Sequence, residues 1–309
     1  MLDLQLQALM EQAAEDGVPD VADLSPEEAR AFYREFAGAT DAPVADVEIE
    51  DRRIPGPEGE IPVRVYRPRE AGLRPLLLFY HGGGWVIGGL DEYHGVVSNL
   101  AAQSGCVTVS VDYRLAPEHR FPAAVEDSYA ALEWAAAHAG ELGADPARIA
   151  LAGDSAGGNL TAVMALLARD RNGPTLSFQA MIYPATAAGS SQYDSYRKYG
   201  EGYILTARGM DYFWKHYMGE GAEITDYRAA PLLAEDLGGL PAALVMVAGF
   251  DPLHDEGLEY AQRLTEAGTH VMVTDYPTLS HGFITMSGVL DAGKLAVEQV
   301  AAAIRRAVQ

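Results

Sequence analysis

Cysteine is nearly missing from this 309-residue chain. Cys106 stands alone, which excludes an internal disulfide and any cysteine-based zinc site. It lies in "GCVTVSVDY", a strand-like run where a thiol acts as a buried, inert side chain. Basic residues are also scarce: 22 Lys and Arg against 44 Asp and Glu, for a formal charge of −22, with arginine greatly outnumbering lysine. Such a surface repels phosphate backbones, so no nucleic acid is expected as a partner. No apolar run approaches the roughly 18 residues of a membrane span, so no membrane association is expected either. The opening "MLDLQLQALMEQAAEDG" has neither a basic n-region nor a continuous apolar block, and it alternates as an amphipathic helix does. These absences together predict a cytoplasmic protein. Repeats, long Ser/Gly/Pro linkers and compact His/acid clusters of the metal-binding kind are lacking too, so no metal is expected.

What is present is a chain with a substantial core to bury. Hydrophobic residues make up 49% and charged residues 21%, and the length suits one large α/β domain or two smaller ones. "ADVEIEDRRI" and "IPVRVYRP" alternate by twos around the turn "PGPEGE", which predicts an antiparallel hairpin. "RPLLLFYHGGG", "CVTVSVDYR", "RIALAGDS", "FQAMIYPA", "AALVMVAGFD" and "HVMVTDYP" read as strands, most of them continuously apolar as in a sheet covered on both faces. Helix-like segments separate the later strands: "PAAVEDSYAALEWAAAHAGEL", "GGNLTAVMALLARD", "EGLEYAQRLTEAG" and, at the end, "KLAVEQVAAAIRRAV". The alternation predicts an α/β fold with a mostly parallel central sheet, an antiparallel first hairpin and helices on both faces. Two stretches break the rhythm. Residues 1–44 read as helical, and residues 186–230 are rich in Tyr with Phe213 and Trp214. An insertion of that length between strands is more often functional than ornamental. The expected organisation is therefore an N-terminal part of a helical cap (1–44), a first part of the core (45–185), a cap insertion (186–230) and a second part of the core (231–309).

Gly153-Asp154-Ser155-Ala156-Gly157 fits G-x-S-x-G between a buried strand and a helix. The flanking glycines lack a Cβ and allow strand and helix to approach through a tight bend. The serine is thrust out at the carboxyl end of the sheet, beside the amides and positive dipole end of the following helix. A serine hydroxyl needs a base, and in this architecture the order is Ser, then Asp or Glu, then His. Three histidines follow Ser155 outside the insertion. His270 begins a strand at the wrong edge and His254 stands beside a helix start, whereas His281 in "PTLSHGF" follows a strand's carboxyl end. For the acid, Asp251 comes directly after "ALVMVAGF", with Asp255 as the second candidate; Asp255 and Glu256 fit better as charges complementing a helix dipole. "YHGGGW" supplies three glycines whose amides can turn toward an anion, so Gly83 and Gly84, with the amide of Ala156, form the expected oxyanion donors.

In this order "HGGGW", "YRLAPEHRFPAA", "GDSAGGNL", "DPLHDEG" and "HGF" resemble the bacterial hormone-sensitive-lipase-like esterases of the α/β-hydrolase fold, in the GDSAG subfamily. The resemblance spans roughly residues 45–308. It implies ester hydrolysis without metal or organic cofactor, with Ser155 as nucleophile, His281 as base, Asp251 as its orienter, and Gly83, Gly84 and Ala156 as oxyanion hole. It also implies that the YRLAPE segment packs beneath the glycine loop, which makes Glu118 supporting, and that His81 and Asp154 shape their turns and Asn159 the helix start. Such proteins prefer small-molecule esters with short to medium acyl chains and often form homodimers. Trp85, Tyr183, Leu205, Phe213 and Trp214 are the candidate pocket residues. Two positions depart from the family pattern: His254 stands where many relatives have arginine, and "TLS" precedes His281 where a more apolar triplet is common. An amidase would share the same triad. A non-catalytic ligand receptor on this fold is the other alternative, but plant hormone receptors of this kind have lost the histidine that His281 supplies here.

Overall fold

A computed structural model describes residues 1–70, 72–189 and 192–309, so the expected insertion contains two positions, Ser190 and Ser191, that lie outside the described residues. Eight strands form one sheet: β1 (Val47–Gly56), β2 (Gly59–Pro68), β3 (Arg74–Tyr80), β4 (Val107–Val111), β5 (Ala144–Asp154), β6 (Phe178–Ile182), β7 (Ala242–Phe250) and β8 (Val271–Ser280). Their spatial order is β1-β2-β4-β3-β5-β6-β7-β8. β1 and β2 pair antiparallel, as do β2 and β4, and every later pairing is parallel. The hairpin is tighter than its sequence implies, because Gly56 pairs directly with Gly59 and leaves Pro57 and Glu58 as the whole turn.

The helices are α1 (Leu4–Glu15), α2 (Pro26–Thr40), α3 (His94–Ser104), α4 (Ala123–Ala137), α5 (Ala139–Leu142), α6 (Ala156–Asp170), α7 (Asp194–Tyr199), α8 (Ala207–Met218), α9 (His254–Glu266) and α10 (Asp291–Ala307). Alternation along the strands sorts the core into two layers. Leu76, Leu78, Ile149 and Leu151 pack with α4 and α6 residues such as Leu132 and Val163. Leu77, Phe79, Ala150 and Ala152 face Val97 and Leu100 of α3 and Val300 and Ile304 of α10. α3 has no clear polar stripe because seven of its eleven residues are buried, which hides it from a search for amphipathic periodicity. The helix expected over residues 122–142 is interrupted at His138, whose backbone leaves helical geometry while its ring Nδ1 donates to the Trp134 carbonyl at 2.8 Å. Among the described residues, no helix is long and apolar enough to cross a membrane.

α2 begins with a full capping box, in which Ser25 accepts from the Glu28 amide and Glu28 accepts from the Ser25 amide. α8 meets the N-terminal region through Thr206, whose hydroxyl donates to Asp20 at 2.7 Å, and Arg208, which pairs with Asp23. The two irregular segments thus touch each other at the carboxyl ends of the strands, above Ser155.

Candidate active site

Three strand ends supply the central row. β5 ends at Asp154 and α6 begins at Ala156, so Ser155 occupies the corner alone, with φ 54° and ψ −117°. A non-glycine residue there is strained, and the surroundings hold it. The corner has no room for side chains beside it: a Cβ on Gly157 would lie 1.9 Å from the Tyr80 carbonyl oxygen, and one on Gly153 would lie 2.2 Å from that of Gly157. His281 follows β8 immediately and its Nε2 lies 2.9 Å from Ser155 Oγ. Asp251 follows β7, is fully buried, and its Oδ2 lies 2.7 Å from His281 Nδ1. A carboxylate only accepts, so Nδ1 carries the proton and Nε2 turns its lone pair to the serine hydroxyl. The other Asp251 oxygen accepts from the Leu253 amide at 2.9 Å, which fixes the carboxylate plane. The Tyr183 ring, 4.5 Å from the His281 ring, backs the imidazole.

The glycine loop after β3 is held one peptide plane at a time. In a trans peptide the carbonyl and the following N–H point in opposite directions, so a bond to one aims the other. Tyr113 donates to the His81 carbonyl at 2.7 Å, and the Gly82 amide donates to Asp154 Oδ1 at 2.8 Å. His81 Nδ1 donates to the Gly82 carbonyl at 2.7 Å, which orients the Gly83 N–H. Burial pushes the His81 imidazole down to about 4, so it acts as a neutral donor. The Gly83 carbonyl accepts from Val86 and Ile87 at 3.0 and 2.9 Å, which orients the Gly84 N–H. Gly83 and Gly84 have φ of 100° and 58° and both line the cavity beside Ser155. The amide of Ala156, first residue of α6, has no intrahelical acceptor.

Asp154 links the serine corner to this loop. Besides Gly82 it accepts from Tyr93 at 3.0 Å and Tyr183 at 3.4 Å, and Tyr33 donates to Tyr93 at 3.1 Å. Burial raises its carboxyl to about 6 despite these donors. Glu118 meets Arg30 of α2 in a two-pronged pair at 2.9 and 2.6 Å, and that guanidinium holds its carboxyl down to about 2. Asn159 stands in the first turn of α6. Its Nδ2 donates to the Ala185 and Ala229 carbonyls at 2.8 and 2.7 Å, tying together the two ends of the insertion.

Leu205 and Phe213 line the cavity, of about 170 Å³, that opens at Ser155 and His281. Trp85, Trp214 and Tyr183 do not. Trp85 points away from the cavity and stacks on Tyr217 with ring centres 4.3 Å apart, and Trp214 leans on Trp85 at 4.7 Å, so the pair serves as core between the loop and α8. The remaining wall comes from residues that sequence reading did not single out, chiefly Phe32, Tyr33 and Phe36 of α2, with Met210 and Met286. The signal was present in "AFYREF", where Phe32 and Phe36 stand one helical turn apart. Asp255 and Glu256 are more than dipole partners. Asp255 accepts from the Ser195 amide and from the His254 ring, both at 2.9 Å. Glu256 is buried and accepts from the amides of Thr186 and Ala187 at 2.6 and 3.0 Å, and burial pushes its carboxyl up to about 8. His254, which departs from the family pattern, spans Asp255 and Asp275.

The sheet order, the serine at a strand-to-helix corner and the hydrogen-bonded Ser–His–Asp row define the α/β-hydrolase class. A family model for the alpha/beta hydrolase fold matches residues 77–285. The carboxylic ester hydrolase LipN of Mycobacterium tuberculosis is 46% identical over 292 residues, covering 92% of this chain and 77% of that protein. An ethyl acetate hydrolase of Pseudomonas putida is 36% identical, with 92% and 91% covered. Among solved structures, an esterase of Pyrobaculum calidifontis matches with a TM-score of 0.93 at 40% identity over 100% of both chains. The chain belongs to the hormone-sensitive-lipase-like esterases of the α/β-hydrolase fold.

Proposed function

We propose that this protein is a serine carboxylesterase acting on short- to medium-chain acyl esters through an acyl-enzyme. The observation that carries the reading is the unbroken row from Asp251 Oδ2 through His281 to Ser155 Oγ, at 2.7 and 2.9 Å. His281 Nε2 takes the hydroxyl proton as Ser155 Oγ attacks the ester carbonyl. The negative oxygen of the tetrahedral species then rests on the amides of Gly83, Gly84 and Ala156. The imidazolium returns its proton to the departing alcohol, and a water activated by the same Nε2 releases the acid.

The acyl group occupies the apolar cavity, so residues 1–44 and 186–230 act together as a cap that selects substrate size. Phe32, Tyr33 and Phe36 from the first segment and Leu205, Met210 and Phe213 from the second support this assignment. The test is turnover of p-nitrophenyl butyrate by the parent protein and by Ser155→Ala, with a matched anilide alongside. Ester hydrolysis lost in the folded variant is the expected result. Equal rates in the two proteins would remove Ser155 from the mechanism, and faster anilide than ester turnover would make the protein an amidase.

A further inference from the structure

We infer that Arg30, on a helix of the cap, is a positioning residue that sets the direction of the Gly84 N–H and so tunes the oxyanion hole. The inference rests on the esterase reading and concerns a residue remote from the reacting atoms. Arg30 Nε donates to the Val86 carbonyl at 2.8 Å, and Nη2 donates to the Ala116 carbonyl at 2.9 Å. Both Nη atoms also grip Glu118, which presents its carboxylate from the end of the YRLAPE segment.

Two short relays run from these contacts to the hole. The Val86 carbonyl and the Ile87 N–H belong to one peptide unit, so the pull of Arg30 on the oxygen aims the N–H at the Gly83 carbonyl, 2.9 Å away. In the second relay Arg30 holds Ala116, whose amide donates to the Trp85 carbonyl at 2.8 Å. That carbonyl shares its peptide with the Val86 N–H, the other donor to Gly83, at 3.0 Å. Both donors that fix the Gly83–Gly84 peptide are thus anchored on one guanidinium. Glycine has no side-chain packing to hold its plane, and Gly83 and Gly84 both sit at positive φ, so external anchoring decides where the N–H points.

Arginine suits the task because its planar fork makes four directed bonds here at once, whereas a lysine ammonium concentrates its donors at one atom and cannot span Val86, Ala116 and Glu118. The arrangement also gives the cap a second role. Docking of α2 supplies pocket wall and aligns the hole in the same movement.

The experiment compares the parent with Arg30→Lys and Arg30→Met by three readings: kcat and KM for p-nitrophenyl butyrate, Ki for a trifluoromethyl ketone, and stoichiometry of fluorophosphonate labelling. The ketone forms a hemiketal whose oxyanion occupies the hole, so its Ki reports the donors directly. Losing an oxyanion donor outright costs about 10²–10³ in kcat; misaiming one should lower kcat about tenfold, raise the ketone Ki by a similar factor and leave KM within about twofold. Glu118→Gln, at an exposed side chain, keeps the two carbonyl contacts and should shift the same two quantities by less. Unchanged kcat and Ki in the arginine variants, or a change confined to KM, overturns the inference while leaving the esterase reading intact. If the arginine variants do not fold, an unchanged Ki in Glu118→Gln overturns it. A parent protein that neither labels nor hydrolyses would instead sink the esterase reading itself.

Discussion

Lengthening the acyl chain of an ester one methylene at a time gauges the cavity beside Ser155. The cavity holds about 170 Å³ and its walls are apolar, with Phe32, Phe36, Leu205, Met210 and Phe213 among them. A dry apolar cavity of roughly 150 Å³ takes a benzene-sized guest, so this one accommodates an acyl chain of about six carbons. Each methylene that moves from water into such a site gains about 0.8 kcal/mol, close to fourfold in kcat/KM. The p-nitrophenyl series should therefore climb about fourfold per methylene from acetate to hexanoate, then level and fall by about ten carbons as chains outgrow the space. Phe213→Ala removes a ring from the wall, and if the emptied space stays open the maximum should move about four carbons longer. Initial rates below KM, on monomeric substrate concentrations, supply the numbers. A climb that continues through dodecanoate in the parent, or an unmoved maximum in a folded Phe213→Ala protein, would refute the assignment of this cavity to the acyl group.

Gly84→Ala would place a Cβ 2.1 Å from Phe213 Cγ at a backbone φ of 58°, and should lower kcat by about 10² with the ketone Ki rising in parallel; normal kinetics would mean the loop is freer than its contacts imply. Asp251→Asn reverses the hydrogen-bond polarity at His281 Nδ1 and should cut kcat by about 10³–10⁴ at neutral pH, measured under single-turnover conditions; a loss below tenfold would remove the orienting role. Glu256→Gln tests a buried proton. Because burial lifts the folded carboxyl to about 8 while the unfolded chain sheds its proton near pH 4, this group's contribution to stability is full below about pH 4 and is lost as pH rises from there to about 8. The variant's stability relative to the parent should be lowest near pH 4 and rise with pH up to about 8, by about tenfold in the folding equilibrium per pH unit, in guanidinium melts, whereas a pH-independent difference would contradict a buried acid form.

The pieces legible in the sequence are those in which a backbone demand leaves a residue signature. The Gly153 and Gly157 positions admit no Cβ, and Gly83 and Gly84 sit at positive φ, so glycine recurs where the chain bends around Ser155. His281 and Asp251 could be chosen because strands end directly before them, and strand ends gather at one edge of a parallel sheet. The walls of the cavity were harder, since which face of a helix looks inward depends on how that helix docks. Trp85 and Phe213 are equally aromatic in the sequence. The stacking of Trp85 on Tyr217 assigns it to the core, and the crossing of α8 over Gly84 brings Phe213 to the cavity. Arg30 carries no motif at all, and its reach to Val86, Ala116 and Glu118 exists only once α2 lies over the glycine loop. Glu256 resembles any acidic residue at a helix start until Thr186 and Ala187 fold onto it.

The most direct test of the central claim is mass-spectrometric mapping of a fluorophosphonate adduct on the intact protein. A serine hydroxyl activated by His281 should take up one phosphonyl group per chain, on the peptide containing Ser155, with labelling lost in Ser155→Ala and slowed by several orders of magnitude in His281→Ala. Labelling at a different residue, or ester turnover that persists with Ser155 unmodified, would contradict the account.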